Sequence, residues 1–144
     1  MTECGIREAI PEHLREAADG LHMADLIFSV QKHHAKSLHW DFRLQQDGVM
    51  PSWALPKGLP ESLGDGNRLG IKVEDHELSY ATFHGTIPDG YGAGQVELVD
   101  LGQMEVLRWD DKYIKVRLHG QQYSGVWSLR NTKDKNWIVR CSKE

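Results

Sequence analysis

The stretch Phe28–Leu44, FSVQKHHAKSLHWDFRL, places an imidazole, a carboxylate and a guanidinium at every second position. Read as a strand, Leu38–Leu44 puts His39, Asp41 and Arg43 on one face and Leu38, Trp40, Phe42 and Leu44 on the other. The second set is a core face, and the first can do chemistry. Same-face neighbours on a strand lie about 6.5–7 Å apart. His39 and Asp41 can therefore lean together onto one divalent cation, whose bonds are about 2.0–2.2 Å long. Arg43, one step further, is too positive to ligate the ion and is placed to fork onto an anion beside it. His33 and His34 lie just upstream, and a turn through Ala35–Ser37 would fold one of them back toward His39. Two imidazoles and one carboxylate leave coordination positions open for water and substrate, as catalysis requires. The competing reading is a solvated ladder of surface charges whose ion pairs contribute little.

Two further segments favour the chemical reading. Ser52–Gly58, SWALPKG, is a Trp-containing strand ended by Pro56, which then presents Lys57 as a second cation for a phosphate. Arg68–Tyr80 alternates apolar Leu69, Ile71 and Val73 with Gly70 and Lys72, then ends in Glu74, Asp75 and His76. Polar residues clustered where a strand gives way to a loop are typical of functional sites. The ordinary roles of these groups are an exposed lysine and a solvated acidic turn. Gly85–Gly94, GTIPDGYGAG, is glycine-rich but lacks the GK[ST] ending and the following helix of a phosphate-binding loop. It reads as a structural turn, with a substrate lid as the lesser alternative. Trp53, Trp109, Trp127 and Trp137 read as core. His13, His22 and His119 read as solvated.

These residues need a frame. Pro11, Glu12 and Gly20 bracket one short helix in PEHLREAADG. Beyond it the chain reads as short strands punctuated by Gly and Pro, over 26–31, 38–44, 52–55, 68–73, 95–100, 114–118, 125–130 and 137–140. Turn chemistry separates them at QQDG, GDGN and GTIPDGYGAG. About eight short strands with one peripheral helix predict an antiparallel barrel or sandwich, which composition does not separate.

Composition bounds the rest. The chain has 144 residues, 17 Lys+Arg, 21 Asp+Glu and a formal net charge of −4, which excludes a broad DNA-coating basic face but not a local phosphate pocket. No apolar run approaches the length of a membrane span. The start carries acids and lacks an apolar h-region, unlike a secretory signal. Two cysteines, Cys4 and Cys141, make neither a disulfide framework nor a CxxC zinc site, which suits reduced thiols in the cytoplasm. With no repeat and no linker, one domain is expected over 1–144: an arm with a short helix over 1–27 and a core over 28–144.

QKHHAKSLHWDFRL, then DGVMPSWALPKG, VEDHELSYATFHGTIPDGYGAG and a closing GVWSLRN…NWIVR, resembles the 3′-phosphoesterase domain of bacterial DNA ligase D and its stand-alone relatives, from about Phe28 to Arg140. The resemblance implies a small closed β-barrel and a metal-dependent repair enzyme that prefers manganese, with cobalt, zinc or another divalent ion as alternatives. It implies removal of 3′-phosphates from DNA or RNA ends, and trimming of a 3′-terminal ribonucleoside. It assigns the metal to His33, His39 and Asp41, and the scissile phosphate to Arg43, Lys57 and His76. It sets Glu74, Arg68 and Tyr80 at or near the site. Three departures stand out. The chain is one residue shorter at Asp89–Gly90–Tyr91, has Gln45 where an acid is common, and matches poorly before Phe28, where Arg7 and Glu8 would have to serve in trimming.

The reading is therefore a 3′-end-healing phosphoesterase. In it Arg43 and Lys57 neutralise the phosphate, and protonated His76 donates to it or to the leaving oxygen. The alternatives are a non-catalytic module that binds 3′-phosphate ends and a phosphodiesterase acting on RNA ends. Expected partners are DNA or RNA 3′ ends and separate ligase, polymerase or other end-joining proteins. No membrane is expected, and a monomer suffices.

Overall fold

Alternating apolar and polar residues, interrupted by Gly-containing turns, wind this chain into strands. The computed structural model describes residues 10–21, 25–88 and 93–142. The expected helix is present as α1, Glu12–Asp19, with Pro11 at its start and Gly20 closing it. Nine strands follow: β1 Ile27–His34, β2 Leu38–Leu44, β3 Val49–Leu55, β4 Arg68–Glu77, β5 Gly85–Ile87, β6 Gly94–Trp109, β7 Tyr113–His119, β8 Ser124–Lys133 and β9 Asn136–Ser142.

All neighbours are antiparallel, in the order β1-β2-β3-β4-β9-β8-β7-β6, and β6 returns to pair with β1. Eight strands thus close a barrel and leave no long open edge. This decides for the barrel over the sandwich. Phe28, Val30, Phe42, Leu44, Trp53 and Leu55 from β1–β3 meet Ile114, Val116, Leu118, Trp127, Leu129 and Val139 from β7–β9 inside it. A smaller cluster forms outside, where Ile10 and Leu14 cover Leu98 and Leu101 of β6.

The structure departs from the expected strands in several places: β1 continues to His34 and β4 to Glu77, so His33, Glu74 and His76 lie in strands rather than in the adjoining loops. β6 runs for 16 residues rather than stopping near Asp100. Its first half pairs with β1, while its second half pairs with β7 along the other edge. Gly102 permits this close passage, since a Cβ there would lie 2.2 Å from the His119 carbonyl oxygen. Gly85–Ile87, read as part of a turn, forms β5 against Gly94–Val96 of β6. That pairing depends on a strand edge supplied by the tertiary fold, which local turn chemistry does not report. Cys141 forms no disulfide; Cys4, Arg7, Glu8, His22 and Asp89–Tyr91 lie outside the described residues. No helix among the described residues is long and apolar enough to cross a membrane.

Candidate metal-dependent active site

The β1–β2 hairpin sets His33 opposite His39, Gln31 opposite Asp41 and Ser29 opposite Arg43. Phe42 and Leu44 enter the core, so period-two alternation turns His39, Asp41 and Arg43 to the outer face of the barrel. The turn at Ala35–Ser37 thus selects His33 as the imidazole facing His39. His34 points away and meets Glu97 at 3.0 Å.

The three groups converge. One ligand atom each from His33, His39 and Asp41 lies within 4.8 Å of the others. His33 Nδ1 is 3.5 Å from Asp41 Oδ2 and His39 Nε2 is 3.3 Å from Asp41 Oδ1. His39 Nδ1 donates to the Ser37 carbonyl at 3.0 Å. That bond orients the ring and turns Nε2 toward the cluster, as the outer partner of a metal-binding histidine does. Hydrogen bonding to Asp41 raises the His39 pKa against the opposing effect of burial. For Asp41 burial acts upward, but the His39 hydrogen bond and the Arg43 charge outweigh it and hold the carboxyl below its ordinary value. Nitrogen and carboxylate donors in this number suit a borderline divalent ion with open positions, so the residues fit the implied metal.

Arg43 is 2% exposed, which makes its partners decisive. Its Nε donates to Gln31 Oε1, and its Nη1 donates to Ser52 Oγ at 2.9 Å and to His76 Nδ1 at 3.1 Å. Its Nη2 lies 3.3 Å from Asp41 Oδ2, and the ring of Tyr80 covers it at 4.8 Å. Of its five guanidinium N–H groups, three donate to protein partners and the two on Nη2 lie beside the Asp41 carboxylate. The expected two-pronged grip on an anion therefore requires Arg43 to exchange a protein partner.

His76 reaches this cluster through an irregularity. Ser52 pairs with Val73, but Met50, two residues earlier, pairs with His76, three residues later. The bulge inserts one residue into β4 and brings His76, rather than Asp75, to the cavity beside Val73. Burial, and then the Arg43 charge, push the His76 pKa down. His76 accepts from Arg43 at Nδ1, which leaves Nε2 as the ring nitrogen that Arg43 does not engage.

A cavity of about 650 Å³ joins these groups, lined by His33, Ala35, Lys36, Ser37, His39, Asp41, Arg43, Ala54, Val73, His76, Tyr80, Ile87 and Ala93. The other expected residues are not gathered there. Lys57 is exposed, and its carbonyl accepts from Arg68 Nη1 at 2.6 Å. Arg68 lies eight residues from His76, up to about 26 Å at the strand rise. Glu74 is exposed and absent from the lining. Lys36 of the β1–β2 turn is the lysine on the cavity wall.

Gln31 and Ser52 escaped the sequence reading. Buried Gln31 accepts from Arg43 and donates to the carbonyls of Tyr80 and Phe83, both at 2.9 Å. It ties the 3-10 turn Leu78–Thr82 over the site. The signal was a glutamine between Val30 and His33 on the face that carries the chemistry.

A family model of the "DNA Ligase D 3'-phosphoesterase domain" matches residues 31–131. The chain belongs to this family. Its members include a region of the "Multifunctional non-homologous end joining protein LigD" of Mycolicibacterium smegmatis, 43% identical over 129 residues, which cover 81% of this chain and 17% of that protein. The corresponding "DNA repair protein LigD" of Mycobacterium tuberculosis is 46% identical over 121 residues, 81% of this chain and 16% of that protein. LigD of Pseudomonas aeruginosa is 42% identical over 133 residues, 83% of this chain and 15% of that protein. The chain thus spans about a sixth of these multifunctional relatives.

Proposed function

We propose that this chain is a metal-dependent phosphoesterase that removes 3′-phosphates from DNA or RNA ends, with manganese its preferred ion, and that also trims a 3′-terminal ribonucleoside. The observation that carries the reading is Asp41, flanked by His33 and His39 and joined to the buried Arg43. His33, His39 and Asp41 would hold the ion. When bound, a divalent ion polarises a phosphate oxygen and lowers the pKa of a bound water.

The chain's own residues supply the remainder. Arg43 holds positive charge at the cavity wall, fixed from four directions before any phosphate arrives. Such preorganisation stabilises developing charge without reorganisation cost. His76 accepts from the guanidinium at Nδ1 and so orients it. Tyr80 excludes water from the Arg43 face. Lys36 stands on the cavity wall, whereas Lys57, exposed outside that lining, would join the clamp only if the substrate drew it in. The chain would act in the cytoplasm as a monomer, with ligase and polymerase activities completing repair.

The test is an assay on matched primers ending in 3′-phosphate, 3′-ribonucleoside and 3′-hydroxyl. Manganese-dependent release of phosphate, stopped by chelator and lost in His39→Ala, is expected. Tight binding of the 3′-phosphate primer without phosphate release by metal-replete protein would replace the enzyme with an end-binding module. Faster cleavage of internal diesters would replace it with a phosphodiesterase.

A further inference from the structure

Across the barrel from the cavity, the outer face of β6–β9 carries a second ordered set of charges. The register places Arg108 beside Lys115, Lys115 beside Ser128, and Ser128 beside Arg140. These positions alternate with Ile114, Leu129 and Val139, which enter the core, so the row faces outward. One step along, Tyr113 stands beside Arg130. The guanidinium carbons of Arg108 and Arg130 lie 4.7 and 5.6 Å from the Tyr113 ring centroid. Two depressions open on either side, of about 440 Å³ beside Arg108 and about 250 Å³ beside Ser128 and Arg140; Tyr113 and Arg130 border both.

The charges are unevenly compensated. Arg108 pairs with Asp110 at 2.9 Å. Among the described residues no carboxylate forms an ion pair with Lys115, Arg130 or Arg140. In a chain of net charge −4, Lys115, Arg130 and Arg140 form a local basic strip, with Arg130 against the Tyr113 ring. None of its residues lines the cavity that holds His39 and Asp41.

We infer that this strip is a second nucleic-acid contact, gripping the phosphate backbone of a segment other than the end seated in the cavity. Guanidinium groups match phosphate geometry, and an aromatic ring among them offers a stacking surface. The row spans three strand spacings, about 14 Å, while one nucleic-acid strand presents a phosphate every 3.4 Å or so of axis. Several phosphates therefore fall within reach at once. Contacts of these cations to phosphate fix position without reading sequence. The choice of nucleic acid among polyanions rests on the function proposed above.

The test measures binding of a short fluorescent duplex with 3′-hydroxyl ends to the full chain over a range of salt, without added metal. Arg130→Ala/Arg140→Ala should weaken binding about tenfold and reduce the log–log salt slope by about 2, as expected for two lost phosphate contacts. Arg130→Lys/Arg140→Lys should retain most of the affinity. Release of phosphate from a short single-stranded 3′-phosphate oligonucleotide should be unchanged in both variants. Unaltered affinity and slope in the alanine variant would overturn the inference. So would binding of an acidic peptide, but not duplex, through the same arginines. His39→Ala separates the two readings, because it should lose turnover and keep strip-dependent duplex binding. Wild-type protein that binds duplex through the strip yet never releases phosphate would sink only the phosphoesterase reading.

Discussion

Arg43 Nη2 stands 3.3 Å from Asp41 Oδ2, two positions along β2 on the same outer face. One carboxylate thus serves three partners, facing both histidines and balancing a guanidinium buried beneath Tyr80. Removing either charge exposes the other to the cost of burial without a partner.

His39→Ala and Asp41→Ala should therefore differ in stability while agreeing in function. Both should abolish manganese binding and phosphate release. His39→Ala should leave the fold close to wild type. Asp41→Ala strands the Arg43 charge and should cost about 3–5 kcal/mol. Titration calorimetry with manganese and urea unfolding check the pair. Equal stability losses would show that Asp41 is not the counterion of Arg43.

Arg43→Lys keeps a charge and loses the fork. An ammonium cannot serve Gln31, Ser52, His76 and Asp41 together. Turnover should fall by a factor on the order of 10²–10³, measured as kcat on a 3′-phosphate primer with manganese saturating. Near-normal kcat would refute the clamp.

Asp100, at the far side of β1 from the cavity, tests stability apart from chemistry. Its Oδ1 accepts from the backbone N–H of Leu101 and Gln121, both at 2.9 Å, and its Oδ2 from Gln122 at 3.0 Å and Tyr123 at 2.8 Å. Gly120 makes room for it, since a Cβ there would meet Asp100 Oδ2 at 2.2 Å. Asp100→Ala leaves these donors orphaned and should destabilise the barrel by roughly 3 kcal/mol. Urea unfolding reads this loss, and kcat per folded molecule should not change.

Tyr123 predicts an alkaline weakness. Burial first, then Glu61 and Asp100, push its pKa up to about 12, against about 10 in the unfolded chain. Between those values the folded state keeps a proton that the unfolded state has lost. Its contribution is therefore complete below about pH 10 and fades as pH rises toward 12. Thermal midpoints followed into alkali should fall less steeply for Tyr123→Phe than for wild type. Parallel curves would remove Tyr123 as the cause.

The local pattern of the sequence determined the chemistry and much of the frame. Alternation in Leu38–Leu44 is a period of two, so it told which face His39, Asp41 and Arg43 share without reference to any other strand. The same alternation marked Leu38, Trp40, Phe42 and Leu44 as the core set, of which Leu38, at the hairpin end of β2, is exposed instead. Only the tertiary structure decided what depends on pairing between distant segments. The β1–β2 register chose His33 over His34. The bulge between β3 and β4 turned His76 toward the cavity. Closure of β6 onto β1 made a barrel of strands that composition would equally allow to stack as a sandwich. The β7–β8–β9 register laid Lys115 and Arg140 into one row. A side-chain period is a property of neighbours in the chain, whereas register and closure are set by which strand lies alongside, and no local window contains that strand.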